Sequence, residues 1–96
     1  MGYKKVLIEK REEILRIAAR HGASDVRIFG SVVRDEDDES SDVDFLVKLD
    51  KNRSLMDHAA LVMEMEDLLC RPVDVVTESG LKERIRGRVL SEAVPL

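Results

Sequence analysis

The sequence predicts a small α/β (α+β) protein, in which a mixed sheet of about three to four strands is flanked by helices. Short apolar segments typical of strands alternate with segments whose apolar side chains recur at helical spacing. The chain has 96 residues, of which 44% are hydrophobic and 38% are charged, enough for one core under a highly charged surface. No repeat or low-complexity linker divides it, so residues 1–96 are expected to form a single domain.

The first half of the chain predicts a helix, a strand and a short helix. Apolar side chains follow helical spacing through residues 4–21, and Gly22 is a suitable helix stop. Residues 25–29 have the composition of a short strand that ends at a glycine. Residues 31–35 then predict a short helix.

The second half predicts two further strands, each followed by a helix. Residues 42–49 form an apolar segment typical of a strand. Residues 54–70 predict a helix in which Ser54 is the N-cap. Residues 71–78 predict the third strand and residues 81–93 a closing helix.

Carboxylates are concentrated immediately before and inside the second predicted strand. Seven of the ten positions from Asp35 to Asp44 are acidic, and residues 35–41 predict an acidic loop. Because side chains alternate along a strand, Asp42 and Asp44 should share one face, about 6–7 Å apart. The side chains of Val43 and Phe45 should then enter the core from the other face.

A third carboxylate, Asp74, lies among valines in the third predicted strand. A charge in such a strand needs a partner or a metal ion. If the two strands are neighbours, Asp42, Asp44 and Asp74 can converge into a site with oxygen ligands only. Such a site favours Mg²⁺ over zinc, and Mg²⁺ in proteins is often shared with substrate phosphates.

A candidate phosphate-binding turn precedes the paired aspartates. Gly30 and Ser31 lie between a predicted strand and a predicted short helix, where backbone N–H groups and a hydroxyl can bind phosphate oxygens. Arg34 can add positive charge to the same turn.

These residues together carry a resemblance to a known family. Gly30-Ser31, ten intervening residues and Asp42-Val43-Asp44 resemble the Gly-Ser-x10-Asp-x-Asp signature of the minimal nucleotidyltransferases, in the DNA polymerase β-like nucleotidyltransferase superfamily. Asp74 is similar in position to the third carboxylate of that superfamily. The resemblance covers at least residues 25–78.

The resemblance implies an activity and a set of roles. The family transfers a nucleoside monophosphate, typically AMP from ATP, with release of pyrophosphate. By resemblance, Asp42 and Asp44 would hold two Mg²⁺ ions, and Asp74 would complete one metal site and accept the proton of the acceptor hydroxyl. The nucleotide would be bound by four residues: Gly30, Ser31, Arg34 and Ser41.

The resemblance also implies a partner. Small members of the family act as antitoxins beside a helical HEPN-domain ribonuclease toxin, in some cases by adenylylating a tyrosine. A protein partner and a hetero-oligomer are therefore expected, and the identity of the acceptor, the nucleotide preference and the oligomeric state stay open.

Composition excludes other broad classes. A net charge of −4, a pI near 5.2 and only three aromatic residues disfavour direct nucleic-acid binding. One cysteine, Cys70, fits a reducing compartment. No apolar segment approaches membrane-spanning length and the start of the chain does not resemble a leader, so we expect a cytoplasmic protein without a membrane anchor.

Two rival interpretations share the predicted fold. One is a non-catalytic binding protein that neutralises a partner by contact alone, and the other modifies a small molecule or a nucleic-acid end. The acidic loop of residues 35–39 mildly favours the first, because Asp35 stands where the family often has glycine and the loop would repel a triphosphate. A basic cluster near the end of the chain is expected to be solvated or to meet an acidic partner; it comprises Lys82, Arg84, Arg86 and Arg88.

Overall fold

A computed structural model describes residues 2–96 and confirms the predicted mixed α/β architecture. The helices are α1 (Lys4–Glu9), α2 (Arg11–Arg20), α3 (Leu55–Leu69) and α4 (Glu83–Glu92). The strands are β1 (Ala23–Phe29), β2 (Val43–Leu49), β3 (Val73–Thr77) and β4 (Val94–Pro95). Single 3-10 turns follow β1 at Gly30–Val32 and β3 at Glu78–Gly80.

The four strands form one mixed sheet in the order β3-β2-β1-β4. β1 pairs antiparallel with β2 and with β4, whereas β2 and β3 are parallel and are joined through α3. A parallel pair needs such a crossover, and a helix commonly supplies it. In this register Phe29 is opposite Asp44, and Asp44 is opposite Asp74.

The main core lies between one face of the sheet and the first three helices. Val43, Phe45 and Val47 of β2 are at most 1% exposed and belong to one apolar cluster with side chains of α1, α2 and α3. Burial of these apolar side chains is the dominant stabilising contribution. Because side chains alternate along β2, Asp44 projects from the opposite face of the sheet.

The helices depart from the prediction in the first half of the chain and agree with it at the start of α3. The predicted short helix over residues 31–35 is a single 3-10 turn at Gly30–Val32. The predicted single helix over residues 4–21 is two helices, because Lys10 leaves the helical region with φ −97° and ψ 12°. α3 begins as predicted at Ser54, whose hydroxyl accepts from the Met56 N–H while the Ser54 N–H donates to Asp57. Within residues 2–96, no helix is both long and apolar enough to cross a membrane.

The acidic loop is attached to the rest of the protein rather than fully solvated. The Asp37 side chain is only 4% exposed, and its Oδ2 accepts from the Tyr3 N–H at 3.0 Å. Arg71 lies 3.9 Å from the same oxygen, and its guanidinium stacks 4.0 Å above the centre of the Tyr3 ring. The loop is thereby tied to the start of α1 and to the segment before β3.

Replacing Asp37 should loosen this attachment. Asp37→Ala removes an acceptor for Tyr3 and the partner of Arg71, so we expect the free energy of unfolding to fall by about 1–3 kcal/mol. That loss corresponds to a melting temperature lower by roughly 4–8 °C for each kcal/mol. Thermal melting followed by circular dichroism measures it. Glu39→Ala, at an exposed position of the same loop, is the matched control and should melt like the wild type.

Candidate active site

The pairing of β2 with both neighbours brings the predicted carboxylates to one edge of the sheet. Asp44 is the second residue of β2 and Asp74 the second residue of β3, and the two are direct partners across the parallel pair. Asp42 immediately precedes β2, because the strand begins one residue later than residues 42–49 predicted. Asp42 and Asp74 are exposed, and Asp44 between them is partly buried.

Most of the predicted site residues line one open cavity of about 350 Å³, which we call the Gly30 cavity. Asp42 and Asp44 form one part of its wall. The predicted nucleotide-binding residues, Gly30, Ser31, Arg34 and Ser41, form another part. No residue of the acidic loop 35–39 lines this cavity, although the Arg34 Nε lies 3.3 Å from a carboxylate oxygen of Glu36.

Asp74 lines a different cavity, beside the first. This Asp74 cavity has a volume of about 330 Å³ and a more apolar wall that includes Val76, Leu81 and Ile85. Phe29 and Val89 line both cavities, so the two are adjacent. The three aspartates therefore share one edge of the sheet but face two neighbouring cavities.

The site has a surplus of negative charge centred on Asp44. Burial, and then the nearby charges of Asp74 and Asp42, raise the pKa of Asp44 to about 6. Across residues 2–96, no group of three or more histidine, cysteine or acidic side chains is gathered closely enough to hold a metal ion. The carboxylates thus repel one another and form no closed cage, and an added cation would relieve that repulsion.

Gly30 is required at its position for two reasons. Its φ of +83° lies in the left-handed region that glycine adopts without strain. A Cβ at this position would also lie 2.2 Å from the Asp44 Oδ2, so the backbone at the turn and the Asp44 carboxylate are in direct van der Waals contact. The Gly-Ser turn and the Asp-x-Asp pair are thus one structural unit.

Four residues of the Gly30 cavity were not among the predicted site residues: Phe29 at the end of β1, and Arg88, Val89 and Glu92 on α4. Glu92 accepts a hydrogen bond from the Gly30 N–H at 2.9 Å and another from the Arg34 Nη1 at 2.6 Å. The partners are 62 and 58 residues apart, so no local pattern links them. The one local feature that could have indicated these residues is the four-residue spacing of Arg88 and Glu92, which places both side chains on one face of a helix.

A Gly-Ser turn packed against an Asp-x-Asp strand, with a third aspartate on the adjacent parallel strand, is the arrangement expected of a nucleotidyltransferase. Residues 9–96 match the nucleotidyltransferase domain family, and the chain belongs to it.

Individual relatives agree with this assignment. The chain is 39% identical over 92 residues to protein adenylyltransferase MntA of Thermococcus cleftensis, covering 91% of this chain and 93% of that protein. A solved structure provisionally described as a minimal nucleotidyltransferase is 49% identical, covers 100% of this chain and 97% of its own, and superposes with a TM-score of 0.87. The predicted family resemblance is confirmed, and the protein is a nucleotidyltransferase.

A more distant solved structure shares the fold. It is described as a toxin-antitoxin with AMP-PNP, and matches 88% of this chain and 69% of its own with a TM-score of 0.75 at 16% identity. At that identity the likeness concerns the fold alone.

Neutralising Asp44 should stabilise the ligand-free protein in a pH-dependent way. Because its folded pKa of about 6 exceeds the ordinary 3.8, the folded state binds the proton more tightly, and this residue lowers stability as pH rises through that window. Asp44→Asn should therefore raise the free energy of unfolding at pH 7.5 on the order of 1 kcal/mol after solvent screening, with the gain gone below pH 4.

Urea unfolding at pH 7.5 and pH 4 measures this difference. The exposed Asp67 on α3 provides a matched control, since Asp67→Asn makes the same charge change on a helix that packs against the other face of the sheet. An equal gain for Asp44→Asn at both pH values would contradict the repulsion described for Asp44.

Proposed function

We propose that this protein is a Mg²⁺-dependent adenylyltransferase that moves AMP from ATP to a hydroxyl group, of the tyrosine class, on a partner protein. The partner is a HEPN-type ribonuclease toxin, and the modification silences it, so that the protein acts as a cytoplasmic antitoxin. The family resemblance implies both the reaction and the partner, and the geometry of the site supports the reaction.

One observation carries the reaction: Asp44 lies between Gly30 on one side and Asp74 on the other. Phe29, which precedes Gly30, is the β-sheet partner of Asp44, and Asp44 is the partner of Asp74. Since neighbouring strands are about 4.8 Å apart, this row spans roughly 10 Å across the sheet edge. That length suits a triphosphate on one side of Asp44 and an acceptor group on the other.

The ligand chemistry of the aspartates suits Mg²⁺, although within residues 2–96 they form no closed cage. Three carboxylates without histidine or cysteine are hard oxygen ligands. Burial raises the pKa of Asp44 most, and the neighbouring carboxylates raise it further; a divalent cation would neutralise this second contribution. Asp42 and Asp44 would hold two ions and Asp74 would complete one site. When bound, the ions supply positive charge to the phosphates and to the oxygens that gain charge in the reaction.

The nucleotide phosphates would occupy the Gly30 cavity. The Gly30 backbone N–H, the Ser31 hydroxyl and the Arg34 guanidinium line it, and these groups bind phosphate oxygens well. Ser41 and Arg88 lie on the same wall. The departing pyrophosphate would then leave on the Gly30 side of Asp44.

The acceptor would enter from the Asp74 cavity. In phosphoryl-type transfer the attacking and leaving oxygens are roughly in line with the phosphorus between them. Because pyrophosphate would leave on the Gly30 side, the acceptor hydroxyl would attack from the opposite side, where Asp74 lies. The apolar wall of the Asp74 cavity suits an aromatic ring that carries a hydroxyl. Lys82 and Arg84 line the same cavity. These two cations would favour an acidic segment around the acceptor residue.

The reaction step balances with groups of this chain. The acceptor oxygen forms a bond to the α-phosphorus, and the bond from that phosphorus to the bridging α–β oxygen breaks. Pyrophosphate leaves with the electron pair, and the hydroxyl proton passes to the Asp74 carboxylate. The partner protein closes the open site and excludes water, which favours transfer over hydrolysis.

A labelling experiment tests the transfer. The protein is incubated with Mg²⁺, the product of the neighbouring gene and ATP labelled on the α-phosphate or, in parallel, on the γ-phosphate. We expect α-label but no γ-label on the neighbour, a mass gain of one or more AMP units, and loss of labelling by at least a hundredfold with Asp44→Asn.

The same experiment distinguishes the contact-only alternative. If the neighbour stays unlabelled but is inhibited equally by the wild type and by Asp44→Asn, the protein silences its partner by binding and the transfer proposal is wrong. Asp67→Asn serves again as the charge-matched control and should label like the wild type.

Ser31 should contribute to phosphate binding specifically. Ser31→Ala removes one hydroxyl donor, so the affinity for Mg-ATP should fall roughly ten- to a hundredfold, the contribution of one hydrogen bond to a charged group. Isothermal titration with Mg-ATP, inorganic pyrophosphate and adenosine separates the parts of the ligand. Losses for ATP and pyrophosphate with unchanged adenosine binding are expected; equal losses for all three would assign Ser31 to the turn alone.

A further inference from the structure

Glu92 makes the same contacts in the ligand-free protein that a phosphate group would be expected to make. One carboxylate oxygen accepts from the Gly30 N–H at 2.9 Å and the other from the Arg34 Nη1 at 2.6 Å. A carboxylate and a phosphate both present paired oxygen acceptors to a backbone amide and a guanidinium. These donors cannot serve Glu92 and a triphosphate fully at the same time.

The charge around Glu92 supports competition rather than cooperation. Its partial burial alone would raise the pKa of Glu92, but the hydrogen bonds from Arg34 and from the Gly30 amide outweigh this and hold the pKa below the ordinary value. Glu92 is therefore a full anion when it sits on the turn. It also adds to the negative field on Asp44, which a bound triphosphate would have to meet.

The backbone holds Glu92 within reach of the turn. Glu92 is the last residue of α4, and β4 follows two residues later and pairs with β1. Val94 is opposite Ile28, two residues before Gly30. Rotation of the side chain alone would move the carboxylate off the turn, because the pairing of β4 with β1 holds the backbone beside Glu92.

We propose that Glu92 is a built-in competitor of the nucleotide, which occupies the Gly30–Arg34 anion site until a triphosphate displaces it. The proposal rests on the proposed function, since it takes the Gly30 cavity as the phosphate site. Binding requires the fraction of molecules in which Glu92 has left, so the apparent dissociation constant exceeds the intrinsic one by the inverse of that fraction. Glu92 thereby sets the nucleotide concentration at which the enzyme loads.

Two variants of Glu92 test the competition. Glu92→Gln removes the charge. Glu92→Asp keeps the charge, but its side chain is one methylene shorter and places the oxygens farther from the turn. The second variant tests the competition if the first variant folds poorly. We expect either variant to bind Mg-ATP and inorganic pyrophosphate about three- to tenfold more tightly, with adenosine binding unchanged. Glu83→Gln is the matched control, because it makes the same charge change at an exposed position of α4 and should bind like the wild type.

The outcomes separate this proposal from the proposed function. If the wild type binds Mg-ATP and the Glu92 variants bind it equally or more weakly, Glu92 assists the nucleotide or only fastens α4, and the competition is wrong. If neither the wild type nor any variant binds Mg-ATP or pyrophosphate, the phosphate site itself is wrong. A variant that binds where the wild type does not would be the strongest support.

Discussion

The double pairing of β2 is the constraint on which the site depends. Its register places Asp44 opposite Phe29 in one direction and opposite Asp74 in the other. A slip of one residue would turn Asp44 into the core and Phe45 out of it, because side chains alternate strictly along a strand. The buried side chains of Val43, Phe45 and Val47 prevent that slip. The apolar core on one face of the sheet therefore fixes the positions of the carboxylates on the other face.

The site is an acidic centre with positive charge around it. Asp42, Asp44 and Asp74 repel one another, and the guanidinium of Arg34 only partly offsets the charge at Asp44. Such a centre is costly to the ligand-free protein and would be complementary to the nucleotide and cations that we propose it binds. The instability of the free site and its proposed affinity would then have the same electrostatic origin.

The sequence predicted the parts of the site that local rules govern. Alternation along a strand predicted that Asp42 and Asp44 share a face, the capping pattern predicted where α3 begins, and the Gly-Ser turn was recognised by its place after a strand. The sequence did not predict the features that depend on contacts between residues far apart in the chain. Glu92 reaches Gly30 across 62 residues, β4 has only two residues, and the break at Lys10 interrupts an otherwise continuous helical pattern. The attachment of the acidic loop was not predicted for the same reason, since its charge is local but the Tyr3 and Arg71 contacts of Asp37 are not.

The contact between Gly30 and Asp44 has a consequence for descendants of this fold. A side chain at position 30 would collide with the Asp44 carboxylate. The presence of Asp44 therefore requires glycine at position 30. A lineage that abandoned catalysis and lost Asp44 would be released from that collision, and only the left-handed backbone would still favour glycine, with asparagine as the tolerated substitute. Substitution of Gly30 would then identify a pseudoenzyme, even though Gly30 has no side chain that could take part in the chemistry.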